Sequence, residues 1–337
     1  MSGFRLAPLG PGDGEEVAAL WRAAGMTGHP LGPAAWRAWW ASPDADVALA
    51  WGAREMRGAR EMRGAREARE AGEAGEAHGR LLGALLARAP VRPWAPPDVG
   101  HVALFAVAEA ERGHGVGAAL WEAATAALRA GGRRRLRIGA DPERLLPGVP
   151  LGAPASTWRF LRARGIRPGG LEADLLLDLA DPASDEISLP AGVELVDDDP
   201  DAALGFVERA FPGRWVDEVA RAAAAGTAVL SLRRAGVTLG FCLAQRPTDA
   251  VPGPGLTWTA LGPWGPLDPH TGGLGPLGID AAARGGGLGL ALVAASARWL
   301  RAQGLRAAII DWTTLTAFYG RLGASAWRVY QRAEGEL

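Results

Sequence analysis

Two stretches of the chain follow one pattern: "RGHGVGAAL", Arg112 to Leu120, and "RGGGLGLAL", Arg284 to Leu292, 172 residues apart (284 − 112). Each follows an apolar, strand-like run ("GHVALFAVA" and "LGPLGID") and leads into an apolar helix. A glycine-rich turn between a strand and a helix leaves backbone N–H groups unpaired at the positive end of the helix dipole. Such a turn suits a phosphate or pyrophosphate. A chain that carries it twice is constrained to two domains of strand–turn–helix type.

The flanking elements repeat in the same order. The first half reads as a strand at Phe4–Pro8, helices at Asp13–Ala24 and Pro33–Ala41, and a hairpin. The strand and glycine loop follow, then a helix from Gly115 to Arg129, the strand "RRLRIGA", the helix "STWRFLRARG" and the strand "LEADLLLDL". The second half starts with the strand "VELVDD" and helical residues Pro200–Ala225. A hairpin then turns at Ala235-Gly236, where glycine supplies positive φ. After the second loop and helix come "LRAAIIDW", the helix "TLTAFYGRLG" and the strand "AWRVYQRA". This is an internal duplication of an α/β (α+β) mixed-sheet domain. The expected organisation is residues 1–180, a linker at 181–192, and 193–337. Residues 53–77, built on the repeat Ala-Arg-Glu-Met-Arg-Gly, hold too little apolar surface to order and read as a disordered hairpin insert.

Composition removes several classes of function. Arginine, with no lysine at all, nearly balances the acids, and the net charge of −1 gives no pull toward nucleic acid or an anionic membrane. The lone Cys242 excludes an internal disulfide and a thiolate metal cluster; it reads as a packed strand residue, and no metal is expected. No apolar run is long enough to span a membrane, and the first residues lack a signal-peptide pattern. A cytoplasmic location is expected.

Three readings of the loops compete. A P-loop needs Gly-Lys-Ser/Thr, which this chain cannot supply. A dinucleotide fold needs Gly-x-Gly-x-x-Gly in the first strand–turn–helix; the first loop sits too late, and Leu290 breaks the pattern in the second. The third reading is a resemblance: Val107 to Gly117 and Ile279 to Gly289 resemble the acetyl-CoA loop of the GNAT superfamily of N-acetyltransferases. The order of elements extends the likeness over nearly the whole chain as a tandem pair. The resemblance implies acetyl-CoA as the cofactor. The backbone of Leu277, Gly278 and Ile279 would bond its pantetheine arm and acetyl carbonyl. The N–H groups of Arg284, Gly285, Gly286, Gly287, Leu288 and Gly289 would hold the pyrophosphate. Phe105, Ala106 and Val107, with Arg112, Gly113, His114, Gly115, Val116 and Gly117, are the equivalents in the first half.

Acetyl transfer from a thioester needs a neutral amine, a stabilised oxyanion and a proton for the leaving thiolate. By resemblance, Tyr319 in "TAFYGRLGA" occupies the acid position. Aligning Gly165 with Gly323 puts Leu161 opposite Tyr319, so the first half has no proton donor there. Asp311, at the end of "IIDW", is the best-placed candidate base; Asp268 and His270 are weaker ones. Phe211, Arg214 and Trp215 in "FPGRW" fall where the family's acceptor-side loop lies. Trp36, Trp39 and Trp40 have helical spacing and read as a core or domain-interface stripe. The expected function is acetyl-CoA-dependent N-acetylation of a small primary amine in the second half. The alternative is a non-catalytic acyl-CoA-binding or sensing protein. A monomer whose two halves form a pseudo-dimer, or a weak homodimer, is expected.

Overall fold

The computed structural model describes residues 3–26, 28–29, 31–41, 48–56, 79–143, 145–197, 199–249 and 268–337. The chain forms two compact units: residues 1–91 with 95–141 and 335–337, and residues 92–94 with 142–334. Most of the charged repeat lies outside the described residues. Its first residues, Ala53–Glu55, are the end of a strand, and buried Arg54 pairs with Asp13 at 2.7 Å and Glu16 at 2.5 Å.

The first unit contains β1 (Phe4–Pro8), α1 (Gly14–Ala23), α2 (Pro33–Trp40), β2 (Ala48–Glu55), β3 (Leu81–Arg88), β4 (Val99–Val107), α3 (Val116–Ala130) and β5 (Arg135–Ile138). Its sheet runs β1-β2-β3-β4-β5, antiparallel until β4 and β5 run parallel. Every residue of β3, "LLGALLAR", is buried, as a continuous apolar run predicts for a strand covered on both faces. Helices α1 and α3 both pack on it, and Gly83 permits this: a Cβ there would lie 2.8 Å from Val116 of α3. Trp36 and Trp39 are buried and stacked at 6.1 Å, so this stripe is core. Buried Arg88 lies 4.0 Å from the centre of the Trp39 ring and 3.7 Å from the Asp141 carboxylate. Burial lowers the pKa of nearby His101, whose Nδ1 lies 3.0 Å from the Gly139 carbonyl.

The second unit contains β6 (Val149–Pro150), α4 (Ala155–Arg162), β7 (Arg167–Asp178), β8 (Val193–Val196), α5 (Pro200–Ala210), α6 (Arg214–Ala224), β9 (Ala228–Arg234), β10 (Val237–Gln245), β11 (Thr271–Ile279), α7 (Leu288–Ala302), β12 (Ala307–Thr313), α8 (Thr316–Gly320) and β13 (Ser325–Glu336). Its strand order is β8-β9-β10-β11-β12-β7-β13, with β6 paired to β13. The β9–β10 hairpin turns through Ala235 (φ 48) and Gly236 (φ 77). Helix α7 is small-residue rich and buried on most sides, beneath β10 and β11. The 181–192 segment is held to it: Arg301 pairs with Asp185 at 2.6 Å and Arg298 donates to the Ile187 carbonyl.

The compact units and the sequence duplication divide the chain at different places. Strand β7 closes the first half of the sequence, yet it pairs with β12 on one side and β13 on the other. Its Ala173, Leu175 and Leu177 belong to the core of the second unit.

Candidate functional site

The duplication holds residue for residue across both loops. At the same spacing, β4 and β11 are nine residues each and α3 and α7 are fifteen each. Positive φ recurs at Gly113 and Gly285, Gly115 and Gly287, Gly132 and Gly304, and Ala140 and Trp312. Each loop arginine staples its own strand end: Arg112 Nε donates to the Val107 carbonyl at 3.4 Å, and Arg284 Nε to the Ile279 carbonyl at 3.1 Å. Arg112 also reaches the Ala24 carbonyl at 2.8 Å. The guanidinium groups therefore shape the turn.

In each copy a long strand parts from its parallel neighbour. Strands β4 and β5 pair from Val99↔Arg135 to Val102↔Ile138, and β11 and β12 only from Thr271↔Ala307 to Gly273↔Ile309. Beyond those pairs Phe105 to Val107 and Leu277 to Ile279 face no parallel partner among the described residues. On that side the Val107 and Ile279 carbonyls accept from Arg112 and Arg284, and an extended polar ligand would lie along the rest of the edge. A bulge marks the parting: β11 gains a residue between Leu274 and Leu277 relative to β10, and β4 gains one between Val102 and Leu104 relative to β3. At the far end of the gap stand the glycine turns. Gly287 caps α7 at φ 78 and Gly115 caps α3 at φ 85, neither helix having a side-chain cap. A Cβ on Gly113, Gly115, Gly285, Gly286 or Gly287 would meet nothing within 4 Å. The space in front of the orphan helix N–H groups is open, and the cradle fits a pyrophosphate in both copies. His114 is exposed.

The copies differ in what surrounds the gap. Beside β11 the structure brings Asp311 and Tyr319 together. A Cβ on Gly275 would sit 4.0 Å from Asp311 Oδ1. Tyr319 is buried against Phe318, ring centres 4.9 Å apart, and its hydroxyl has no hydrogen-bond partner among the described residues. Burial pushes its pKa up, helped by the neighbouring Cys242 and Asp311 groups. Cys242 is fully buried in β10, its thiol pushed up to about 12 by desolvation. At the spacing of the duplication, the first copy has Gly139 where the second has Asp311.

Around the acceptor-side loop the aromatic residues pack on each other. Phe211 lies 5.1 Å from Trp215 and 5.7 Å from Phe241, centre to centre. Its ring covers β11 where a Cβ on Gly278 would come within 2.5 Å of it. Phe211 and Trp215 therefore form a wall. Arg214 Nε is 3.0 Å from buried Glu218, and its guanidinium lies 5.7 Å from the centre of the Trp312 ring. Asp268 and His270 are exposed, 2.9 Å from each other, in the turn before β11. They lie at the opposite end of that strand from Ile279, apart from the gap.

Sequence reasoning missed Trp312, Asp174 and Glu218. Trp312 has φ 50 and accepts support from β7: its N–H donates to Asp174 Oδ1 at 3.2 Å. The signal for Asp174 was an acid within the apolar strand "LEADLLLDL"; the signal for Glu218 was its i, i+4 spacing from Arg214. Among the described residues no group of three His, Cys, Asp or Glu could hold a metal ion, and no helix is long and apolar enough to cross a membrane.

The profile of the acetyltransferase (GNAT) family matches residues 35–145 and again 194–324. No curated protein sequence matches the chain. Among solved structures, a glucosamine N-acetyltransferase region of a fungal multi-domain GH3 β-N-acetylglucosaminidase superposes with a TM-score of 0.78 at 20% identity, over 99% of this chain and 38% of that one. The chain thus spans well under half of that enzyme. A tandem GNAT protein from the clavulanic acid biosynthesis pathway superposes at 0.66 and 19% identity, over 99% and 98% of the two chains. A GCN5-related N-acetyltransferase from Sphaerobacter thermophilus gives 0.66 and 18%, over 99% and 95%. At these identities the likeness is one of fold. With two matched segments, each built around a parted strand pair and a glycine turn, the chain belongs to the GNAT family of acetyltransferases as a tandem member.

Proposed function

We propose that the protein transfers an acetyl group from acetyl-CoA to a small primary amine, and that the reaction runs in the second copy. The observation that carries this reading is the asymmetry between the copies. Both have a cradle and a gap; beside β11 a carboxylate, Asp311, and a buried phenol, Tyr319, adjoin the gap, where the matching positions of the first copy hold Gly139 and Leu161. Leu161, which aligns with Tyr319 in the first half, has no proton to give.

Acetyl-CoA supplies the thioester carbonyl. The N–H groups of Gly285 to Gly289 hold its pyrophosphate, and the backbone of Leu277 to Ile279, beyond the last β11–β12 pair, holds its arm and orients the carbonyl. Asp311 holds the incoming ammonium and draws off one proton; the neutral amine attacks the carbonyl carbon, and as the C–S bond breaks the second nitrogen proton replaces the one that Tyr319 gives up. Tyr319, kept protonated by burial, donates from Oη to the departing sulfur. Phe211 walls the gap at Gly278. Glu218 offsets the charge of Arg214, so the acceptor side is not strongly cationic. An amine bearing hydroxyls, such as an amino sugar, fits this balance better than a polyanion.

The test is acetyl-CoA consumption over a panel of glucosamine, L-amino acids, spermidine and an aminoglycoside. Consumption with at least one amine is expected, together with stabilisation to heat by CoA and none by NAD. Stabilisation by NAD instead of CoA would contradict the reading. CoA binding without turnover would favour the sensing alternative.

A further inference from the structure

We propose that Asp174 is a positioning residue for the acceptor side of the second copy, so that a strand from the first half of the sequence completes that site. The inference rests on the reading of Asp311 as the carboxylate that receives the amine.

The geometry starts from a register fault. Between Ile310↔Leu175 and Thr313↔Ala173, β12 spans three residues while β7 spans two. Asp311 and Trp312 form the resulting bulge, which takes their peptide groups out of the ladder. Trp312 adopts φ 50, a left-handed conformation that a bulky residue holds only when its surroundings over-determine it. Asp174 lies opposite this bulge, fully buried. Its Oδ1 accepts the Trp312 N–H at 3.2 Å, and its Oδ2 accepts the Tyr330 hydroxyl at 2.8 Å. Tyr330 stands on β13, the other neighbour of β7, so one carboxylate ties the bulge to strands on both sides.

Fixing Trp312 fixes Asp311, the residue immediately before it. Asp311 then points across the gap toward Gly275, and the Trp312 ring stands near the Arg214 guanidinium. The first copy has a left-handed residue at the matching position, Ala140 (φ 52), but there it follows Gly139, itself at φ 73. Only the left-handed position itself is common to both copies. The second copy places a carboxylate immediately before that position, and there Asp174 secures it.

Three variants test this: Asp174→Ala, Asp174→Asn and Tyr330→Phe. With the amine that the wild type consumes, Asp174→Ala should lower kcat/KM for the amine about 10- to 100-fold. The KM for acetyl-CoA should stay within about twofold, since the cradle lies elsewhere. Asp174→Asn keeps an oxygen for the Trp312 N–H and should recover most of the loss. In parallel, amide hydrogen exchange at Trp312 should quicken in Asp174→Ala relative to Ala308 and Ile309 of the same strand. A folded Asp174→Ala with wild-type amine kinetics overturns the proposal, and so does a loss shared equally with the acetyl-CoA KM. If Asp174→Ala does not fold, Tyr330→Phe decides by the same exchange comparison, an unchanged Trp312 rate relative to Ala308 and Ile309 overturning the proposal. If the wild type consumes no amine, the catalytic reading fails, and the exchange rates alone decide whether Asp174 secures the turn.

Discussion

Tyr319→Phe should lower kcat by about 100- to 1,000-fold and leave acetyl-CoA binding within about twofold of wild type. The substitution removes one oxygen from a ring that is already packed against Phe318, so shape and burial are kept. That hydroxyl has no hydrogen-bond partner among the described residues, so its loss leaves no neighbour unsatisfied and the fold should be unaffected. What is lost is the proton for the departing sulfur. Because burial raises the pKa of Tyr319 from an ordinary value of 10.0, the group stays protonated through the neutral range and beyond. The kcat of the wild type should therefore show no fall from Tyr319 ionisation up to pH 10. The same sign applies to stability: a raised phenol contributes fully below its unfolded pKa and loses that contribution only as pH climbs above it. Steady-state kinetics of both proteins from pH 6 to 10 check this. Equal kcat would remove Tyr319 from the mechanism and favour the binding-only alternative.

The second large effect concerns the half-chain 193–337, which holds every site residue of the second copy that the sequence suggested. Expressed alone it should not fold cooperatively and should neither bind acetyl-CoA nor turn it over. Strands β12 and β13 do not pair with each other; both pair with β7, residues Arg167–Asp178. Removing β7 opens the sheet between them and strips buried Leu175, Leu177 and Leu179 from the core. At about 1.5–3 kcal/mol for each buried leucine, the loss is roughly 5–9 kcal/mol. That is comparable to the whole stability of an ordinary domain, about 5–15 kcal/mol. A fragment from 142 to 337 keeps β6, β7 and the 181–192 segment, and should restore a cooperative transition. Circular dichroism melts of the two fragments decide the matter; a cooperative melt of 193–337 would contradict the role given to β7.

The sequence made the duplication legible because glycine at positive φ is a local requirement: Gly113, Gly115, Gly285 and Gly287 turn the chain whatever surrounds them. Helix and strand order followed from apolar periodicity. What remained hidden depends on pairing between distant segments. An apolar run such as "LEADLLLDL" states that β7 is buried and does not state between which strands. The bulge at Asp311 and Trp312 arises from a register mismatch with that strand, so neither the left-handed Trp312 nor the role of Asp174 has a local signature. The backbone N–H groups of Arg112 and Arg284 were expected in the phosphate cradle. Their Nε groups reach back to the carbonyls of Val107 and Ile279, a contact five residues back that the motif alone does not reveal. The aromatics of "FPGRW" were assigned to the acceptor by position. In the structure Phe211 and Trp215 pack with Phe206 and Phe241, which brings the wall of the gap and the core of α5 and α6 into one cluster.

The central claim is that one cradle of two serves the chemistry, and mirror substitutions test it most directly. Gly115→Val and Gly287→Val place the same branched side chain at the same left-handed helix cap, at φ 85 and φ 78. Both should cost the fold a similar, small amount, about 1–2 kcal/mol. Acetyl-CoA turnover measured side by side should fall at least about 100-fold in kcat/KM for Gly287→Val, as the cradle N–H groups are displaced and covered. For Gly115→Val it should stay within about threefold of wild type. Equal losses in the two variants, or the larger loss in Gly115→Val, would contradict the account.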